Sequence, residues 1–429
     1  MSQEVAIEFR NYYQVIFSTN YLFQGINNSL FTVIIPIYLI QIIGSIDASS
    51  IAFIASIIMI PWVFKIFYGM IGDKFGSKRF GRRRPWIVTM VSFSGIMWIF
   101  LSLPFTYTID NIIFIFTIMG LLIFLGVSFG DTILDGLVLD ITPKEKLGRT
   151  SGFNWSMRSV GTIAGGPAFS LFVVIGIIDV PTLFLVMGVL SILSSLLIFM
   201  VKEPKSYPKV TLGRNLKDMF NNKRDWKTYV FSLFNAIVDS VAMLVISIYI
   251  LIRMNVLSSV GTSLSLPSGN INIYLYNGNI SIIISLGVVI GSVFGGQIAD
   301  KVSRKISVYI GYVITTISLI LMMISAPWQI LLIFSFFVGG AIGWRHSSYS
   351  AVATQISKLH PEMDSTFYSM CNAFANFGSI FGLILIGLIL ELTGSYLMIF
   401  LSVAIISNLG LIGFVMLEPN FYEREAKAK

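Results

Sequence analysis

Four charged residues stand inside stretches of the sequence that are otherwise apolar: Lys65, Asp131, Asp135 and Arg158. Asp131 and Asp135 are four residues apart, so on a helix their side chains project from one face. Carboxylates in apolar surroundings either pair with cations or take up protons, because burial disfavours an unpaired charge. These residue types therefore indicate ion pairing or reversible protonation.

A second set of polar side chains interrupts other apolar stretches. Asp239, Arg345 and His346 combine a carboxylate, a guanidinium and an imidazole, which titrates near neutral pH. We expect them to bind a polar or anionic solute; the alternative is a salt bridge with His346 merely packed beside it. Amides at helical spacing suit the polar groups of a solute, or hydrogen bonds between helices. They are Asn20, Gln24, Asn27, Asn372 and Asn376.

The composition shows which elements must position these residues. Of the 429 residues, 55% are hydrophobic and 12% are charged, and the mean hydropathy is +0.83, which is too apolar for a water-soluble domain. A membrane-spanning helix needs about 20 apolar residues. Twelve segments qualify, at 12–43, 48–72, 85–103, 111–141, 150–176, 181–201, 228–253, 280–299, 306–325, 328–357, 365–392 and 395–417. The sequence therefore predicts an all-α membrane protein with twelve transmembrane helices.

The helical rise of about 1.5 Å per residue gives the distance of each charged residue from the end of its helix, and so its depth in the membrane. Lys65, Asp135 and Arg158 lie about 9 to 12 Å from the cytoplasmic ends of their helices, and Asp131 lies about 15 Å from its own. We therefore predict one buried network of these four residues. It is either a permanently ionised staple that orients helices, or a switch in which Asp131 or Asp135 accepts a proton and changes its pairing with Lys65 or Arg158.

The basic residues follow the loops. Most of the 29 Lys and Arg residues fall in the terminal segments and in every second loop, which predicts that both termini are cytoplasmic. This placement favours a topology signal over nucleic-acid binding. The largest basic cluster lies between the sixth and seventh spans. We predict a six-helix bundle at 1–201, a basic cytoplasmic linker at 202–227, a second six-helix bundle at 228–417 and a cytoplasmic tail at 418–429.

A short pattern recurs after the second and eighth predicted helices. Residues 69–79 read GMIGDKFGSKR, and residues 296–305 read GQIADKVSRK. The chain is therefore built from two related halves. Such repeats are frequent in secondary transporters, where solute binds near the middle of the membrane and one half rocks against the other.

Together with twelve spans, these two patterns resemble the loop signatures of the major facilitator superfamily. The resemblance implies the major facilitator fold, with two six-helix bundles related by an internal repeat. It also implies a gating network that latches the outward-facing state, whereas the alternative is that these residues only anchor the topology. The residues are Gly69, Asp73, Lys74, Gly76, Lys78, Arg79, Asp300, Lys301 and Arg304.

Two neighbouring segments carry a narrower resemblance. Residues 61–73 (PWVFKIFYGMIGD) and 80–86 (FGRRRPW) are similar to one branch of that superfamily. The branch includes muropeptide permeases, acetyl-coenzyme A transporters and folate/biopterin transporters. Its substrates differ too widely to name one for this chain.

Other functional classes are disfavoured. With two histidines, one cysteine, no phosphate-binding loop and no nucleophile beside a base, we expect no metal, no cofactor and no enzymatic activity. We expect a monomeric secondary active transporter in the plasma membrane of a prokaryote. It would move a small polar or anionic organic solute by alternating access, with protons as the coupling ion.

Two alternatives stay open. The glycines before Pro167 in the fifth span are close to the signature of drug/proton antiporters, which would make the protein an efflux pump. The basic linker at 202–227 would instead be a docking surface if the protein were a non-transporting membrane receptor or assembly factor.

Overall fold

The computed structural model describes residues 9–77, 79–103, 107–203, 217, 219–239, 241–267, 272–360 and 364–423. Within it the chain forms two compact units. Unit 1 comprises Met1–Ile35 and Phe64–Leu212, and unit 2 comprises Pro36–Val63 and Gly213–Lys429. The segment Pro36–Val63 thus groups with unit 2, although it belongs to the first half of the sequence. The boundaries expected for the two bundles, the linker and the tail stay a prediction.

Two helices pass from one unit to the other. Helix α1 (Asn11–Ile43) begins in unit 1 and ends in unit 2. Helix α2 (Ala48–Met59, then a 3-10 segment at Ile60–Phe64, then Lys65–Lys74) begins in unit 2 and returns to unit 1. The other helices of unit 1 are α3 (Arg84–Ser102), α4 (Ile112–Ile141), α5 (Lys144–Ile163, then a π-helical turn at Ala164–Ala168, then Phe169–Val174) and α6 (Val180–Met200).

Unit 2 contains the remaining helices. They are α7 (Lys223–Ala236, then Val241–Ile246 and Ser247–Arg253), α8 (Ile273–Lys301), α9 (Arg304–Leu321), α10 (Trp328–Ser357), α11 (Asp364–Thr393), α12 (Tyr396–Ser407 and Gly410–Val415) and the short α13 (Pro419–Tyr422).

The seventh helix differs from its prediction. Among the described residues, eleven helical stretches are long and apolar enough to cross a membrane. The predicted span at 228–253 is present as α7, but its α-helical hydrogen bonding stops at Ala236 and a π-helical segment starts at Val241. Helix α7 also begins at Lys223, inside the predicted linker, and residues 204–216 and 218 of that linker lie outside the described residues.

Glycines set the close approach of helices within each unit. In unit 1, a Cβ atom on Gly161 of α5 would collide with the carbonyl oxygen of Leu22 on α1. In unit 2, a Cβ on Gly343 of α10 would collide with the carbonyl oxygen of Val288 on α8. Small residues let helix backbones pack in this way in membranes, where lipid-like side chains provide little driving force.

A small β-sheet joins two loops of unit 2. Strand β1 (Ser45–Asp47) follows α1, and β2 (Ser258–Val260) and β3 (Ser263–Ser265) form a hairpin after α7. The strand order is β1-β3-β2, with both pairs antiparallel. The hairpin turn contains Gly261 at φ 61°, a left-handed conformation that favours glycine. The all-α prediction did not include this sheet.

Candidate functional site

The structure brings the four charged residues of the predicted network together in unit 1. Lys65 Nζ lies 2.5 Å from Asp131 Oδ2 and 3.9 Å from Asp135 Oδ2. Arg158 Nη1 lies 4.0 Å from Asp131 Oδ1. The Asp131 side chain is 1% exposed, whereas that of Asp135 is 45% exposed. One carboxylate is thus enclosed by two cations, and the other lies at an open face.

The local structure of α2 and α4 explains how these helices position Lys65 and the two carboxylates. Both carboxylates lie on uninterrupted α4, one turn apart. Lys65 starts the last α-helical part of α2, directly after a 3-10 segment that contains Pro61. Proline lacks an N–H donor and so favours such a change of helix geometry. Further along α2, a Cβ on Gly72 would collide with Ile133, so glycine lets α2 approach α4 closely.

Tyr21 of α1 joins the network and was missed by the sequence reasoning. Its hydroxyl donates a hydrogen bond to Asp135 Oδ1, and the residue is 4% exposed. A hydrogen bond to a carboxylate fixes its orientation and favours the charged form. One sequence signal was available, because Tyr21 lies three residues before Gln24 and so on the same side of α1.

A carboxylate and an imidazole meet in unit 2. Asp239 Oδ1 lies 3.2 Å from His346 Nε2, and the two side chains are 25% and 49% exposed. Asp239 lies between the α-helical part of α7 that ends at Ala236 and the π-helical segment that starts at Val241. Discontinuous helices place polar groups at the solute sites of many transporters. The pair can exchange a proton and can hydrogen-bond a solute.

Arg345, the neighbour of His346, is directed into unit 2 instead. It is 1% exposed, and its Nε and Nη2 donate to Asn235 Oδ1 at 3.3 Å and to the carbonyl oxygen of Phe234 at 3.2 Å. Its guanidinium carbon lies 3.9 Å from the ring centroid of Tyr312, a cation–π contact. In this structure Arg345 therefore joins helices, and the partner of Asp239 is His346.

The predicted amide residues divide between the units. Asn20 donates to the carbonyl oxygen of Ser194 at 3.2 Å, and Asn27 Oδ1 accepts a hydrogen bond of 2.5 Å from Trp98. Both are buried, as is Gln24. In unit 2, Asn376 donates to the carbonyl oxygen of Trp62 at 3.1 Å, and Asn372 is half-buried. These three hydrogen bonds join helices; a role of the amides in binding solute stays a prediction.

In the loop after α2, Gly76 is a position with no space for a larger residue. A Cβ on Gly76 would lie 2.7 Å from Arg82 Cα, closer than real Cβ contacts, whereas a Cβ on Gly69 would lie 3.8 Å from Thr132. Lys74 ends the helix, and both Lys74 and Arg79 are exposed. Lys78 and the side chain of Asp73 lie outside what the structure describes. The gating role of this loop stays a prediction.

Each unit caps an equivalent helix with a distant carboxylate, which the sequence reasoning also missed. Glu203 accepts hydrogen bonds of 2.6 to 3.1 Å from three successive backbone N–H groups, those of Arg82, Arg83 and Arg84, at the start of α3. Glu423 accepts from the backbone N–H groups of Arg304 and Lys305, at 3.2 and 2.8 Å, at the start of α9. These bonds satisfy N–H groups that a helix leaves unpaired at its first turn.

The second loop pattern lies between α8 and α9. Asp300 and Lys301 are in the last turn of α8 and are exposed. Arg304 begins α9, is 6% exposed and donates a hydrogen bond from Nη1 to the carbonyl oxygen of Tyr422. Arg304 therefore fastens α13 to α9 within unit 2. In the part of the chain that the structure describes, no cluster of three His, Cys, Asp or Glu residues is arranged to hold a metal ion.

These features define a class: a multi-pass helical membrane protein with a buried charge network. The family model of the Major Facilitator Superfamily matches residues 17–271 and 256–429. The chain therefore belongs to the Major Facilitator Superfamily, and it is a secondary transporter, not an enzyme. The predicted family and fold are confirmed, whereas the narrower branch stays a prediction.

Solved structures share this fold. They include the nucleoside transporter NupG (TM-score 0.70, 16% identity, covering 94% of this chain and 99% of that one) and a D-xylose-proton symporter (0.69, 14%, 97% and 98%). A bacterial homologue of the lysosomal transporter Spinster has a TM-score of 0.64 at 14% identity, covering 96% of this chain and 95% of that one. At these identities the likeness shows the fold alone.

One curated relative matches a short segment. The voltage-gated purine nucleotide uniporter SLC17A9 of Mus musculus is 32% identical over 80 residues, which are 19% of this chain and 18% of the relative. The alignment thus spans less than a fifth of that protein.

Proposed function

We propose that the protein couples transport of a small polar or anionic organic solute to protons through Lys65, Asp131, Asp135 and Arg158. The observation that carries the proposal is the unequal pair of carboxylates on α4. Asp131 is enclosed by Lys65 and Arg158, while Asp135 is 45% exposed and 3.9 Å from Lys65. A charge within a membrane span is tolerated where it reaches water or a partner, so Asp135 is the carboxylate that protons reach.

Charge balance supplies the coupling. With both carboxylates ionised, their two negative charges balance the two positive charges of Lys65 and Arg158. A proton on Asp135 leaves one net positive charge, which attracts an anionic or strongly polar solute. Loss of that proton restores neutrality and weakens the attraction. Tyr21 holds Asp135 in place for this exchange through its hydrogen bond to Oδ1.

We further propose that, within unit 2, Asp239 and His346 hydrogen-bond a polar solute. Both side chains are partly exposed, and they stand beside the interruption in α7. We assign Arg345 a supporting role there, because its guanidinium is engaged by Asn235 and Tyr312. We propose the same role for the amides of α1 within unit 1 and for those of α11 within unit 2. The loop residues from Gly69 and from Gly296 onwards gate the cycle of alternating access.

The comparisons guide the choice of solutes. The mouse relative is named for purine nucleotides, which are organic anions, and one structural neighbour is named as a proton symporter of D-xylose. The basic loops support cytoplasmic termini, and we place the monomeric protein in a prokaryotic plasma membrane. Solutes of the muropeptide, coenzyme A ester and pterin classes belong in the same test because of the branch resemblance.

The test begins with binding and ends with proton flux. Purified protein is screened for thermal stabilisation by nucleotides, nucleosides, pentoses, muropeptide fragments, coenzyme A esters and pterins, since a ligand that binds the folded state raises its stability. Proteoliposomes containing a pH dye then report proton movement when a stabilising solute is added. We expect Asp135→Asn to abolish solute-driven proton movement, and Asp110→Asn, in an exposed loop, to leave it unchanged.

Two results would contradict the proposal. Unchanged pH dependence of uptake in Asp135→Asn would exclude a protonation role for that carboxylate. Proton movement opposite to that of the solute would instead identify a drug/proton efflux antiporter. The glycines that suggested the antiporter have a packing role here, because Gly161 and Gly165 contact the backbone of α1. Membership of a transporter superfamily likewise favours transport over a receptor or assembly factor.

A further inference from the structure

We propose that His360, Asp225 and Arg224 form a pH-responsive clamp in unit 2, in which a proton on His360 replaces its contact with Arg224 by one with Asp225 and loosens α13. Arg224 and Asp225 lie in the first turn of α7, and His360 lies between α10 and α11. With the cytoplasmic termini that the basic loops support, the clamp faces the cytoplasm. The clamp goes beyond the proposed function, because it needs neither a solute nor the charge network of unit 1.

The three side chains of the clamp meet at one nitrogen atom. His360 Nε2 lies 3.0 Å from Arg224 Nη2, and it lies 3.3 Å from Oδ1 and 3.2 Å from Oδ2 of Asp225. The Asp225 side chain is 0% exposed, whereas those of His360 and Arg224 are 18% and 21% exposed. Water therefore reaches the imidazole and the guanidinium but not the carboxylate.

His360 Nε2 cannot bond to both neighbours at once. A guanidinium only donates hydrogen bonds, so the contact with Arg224 requires an Nε2 without a proton and places the proton of the neutral imidazole on Nδ1. A protonated Nε2 instead donates to the carboxylate of Asp225. Imidazole groups gain their second ring proton between about pH 8 and pH 5. The cluster is therefore an element with two arrangements, selected by pH.

The surroundings of the clamp make His360 its pH-dependent group. Phe367 of α11 stacks on the imidazole, with ring centroids 4.6 Å apart and an angle of 18° between the planes. Two further titratable groups are near the buried carboxylate, Tyr229 of α7 and Cys371 of α11. Phenols and thiols ordinarily lose their protons above about pH 8. Lys358, after the last turn of α10, is exposed. A change between pH 8 and pH 6 therefore acts on His360.

Arg224 connects the clamp to α13. Its guanidinium carbon lies 5.4 Å from the ring centroid of Phe421, a cation–π contact. A proton on His360 puts a second positive charge 3.0 Å from the guanidinium, and like charges repel. Because Arg224 is partly exposed, it can turn towards water, and α13 then loses this contact. The hydrogen bonds of Arg304 and Glu423 still attach α13 to α9, so the expected change is more frequent opening of α13, not its detachment.

The first measurement uses the small number of histidines. The chain contains two, His346 and His360, so the variant His346→Gln, purified without a histidine tag, gives one imidazole signal. Nitrogen NMR shifts of labelled histidine report which ring nitrogens carry protons. We expect a proton on Nδ1 alone at pH 8 and on both nitrogens at pH 6. A neutral imidazole with its proton on Nε2 at pH 8 would contradict the contact with Arg224.

The second measurement follows backbone hydrogen exchange in α13 at pH 6 and pH 8, after correction for the pH dependence of the intrinsic exchange rate. The reporting N–H groups are those of Phe421 and Glu423, which donate to carbonyl oxygens within this segment at 3.0 and 2.7 Å. One exposed cation–π contact is a small interaction, so we expect opening of α13 to be about two- to fivefold more frequent at pH 6.

Two variants separate His360 from its surroundings. His360→Gln cannot take up a proton, so we expect the same corrected exchange rate at both pH values. Lys358→Gln removes an exposed charge near the end of α10 and leaves the three residues of the clamp in place. We expect this control to keep the response of the wild type.

Three outcomes would overturn the clamp. The first is a His360 signal with the same protonation at pH 8 and pH 6. The second is equal exchange in α13 of the wild type at both pH values. The third is a pH response that persists in His360→Gln, since another group would then cause it. Neither measurement needs transport, so failure of the clamp and failure of the proposed function are distinguishable.

Discussion

The two units join equivalent pairs of helices in different ways. The repeated loop pattern makes α2 equivalent to α8, and in that alignment Lys65 corresponds to Ser292, since each lies four residues before the glycine that begins the pattern. Lys65 reaches Asp131 of α4 at 2.5 Å. Ser292 donates a hydrogen bond of 3.1 Å to the carbonyl oxygen of Gly343 on α10. The same junction is an ion pair in unit 1 and a backbone contact in unit 2.

The difference has a mechanical meaning. At the junction of α8 and α10, glycines let the backbones touch, and a Cβ on Gly343 would lie 2.8 Å from Ser292 Oγ. Such a contact has a single arrangement that does not depend on pH. At the junction of α2 and α4, the contact depends on the charge of two carboxylates. The two copies of an internal repeat can therefore share one helix arrangement while only one copy contains an ion pair that protonation can change.

The largest effect is expected for the ion pair. Asp131→Leu removes a buried counter-charge from Lys65 and Arg158, and breaking a buried pair in this way costs about 3 to 5 kcal/mol. We expect a corresponding loss in the free energy of unfolding, measured by thermal denaturation in detergent. The double variant Lys65→Met with Asp131→Leu should recover much of the stability but not proton coupling. A single variant as stable as the wild type would show that charge does not hold this junction.

A smaller effect is expected for the glycine contact. Gly343→Ala places a methyl group against the carbonyl oxygen of Val288, and overpacking of this type costs about 1 to 3 kcal/mol. Gly340→Ala is the control on the same helix, since its Cβ would lie 3.6 Å from the nearest atom, an ordinary contact. We expect it to be neutral or slightly stabilising, because alanine favours helix. Equal stability of the two variants would remove the contrast between the junctions.

Sequence reasoning found the depth of these residues but not the direction in which they face. The rise per residue placed Lys65, Asp131, Asp135 and Arg158 at one level, and the structure joins them there. Rotation about a helix axis is set by packing, which explains why the depth of Arg345 and His346 did not indicate which of them would meet Asp239.

Two other features left little trace in the sequence. The three-residue strands of the small β-sheet are rich in serine and have no alternation of apolar residues, and β1 has its partner in a distant loop. The interruption of α7 lies in a segment whose composition is typical of a continuous span. In both cases the structure depends on tertiary contacts that no local pattern reports.

The smallest expected effect on stability concerns the N-terminal caps of α6 and α12, which are equivalent helices in the repeat. These caps give a second comparison of the two units. Asp179 accepts a hydrogen bond of 2.9 Å from the N–H of Thr182. The side chain of Thr182, and after it this N–H group, hold the pKa of Asp179 below its ordinary value by hydrogen bonding. Ser395 accepts a bond of 3.4 Å from the N–H of Met398 and does not titrate. Both units therefore cap this helix with a side chain, but only the cap in unit 1 is a titratable group.

A carboxyl with a lowered pKa stabilises the fold above its ordinary pKa, and that contribution disappears as pH falls through the folded-state value. We expect Asp179→Ala and Ser395→Ala each to cost about 0.5 to 1 kcal/mol at pH 7, the usual effect of losing a helix cap. At pH 3 the deficit of Asp179→Ala should shrink, while that of Ser395→Ala should be unchanged. Thermal denaturation at both pH values measures this difference, and equal shrinkage in the two variants would show that the cap of α6 gains nothing from its charge.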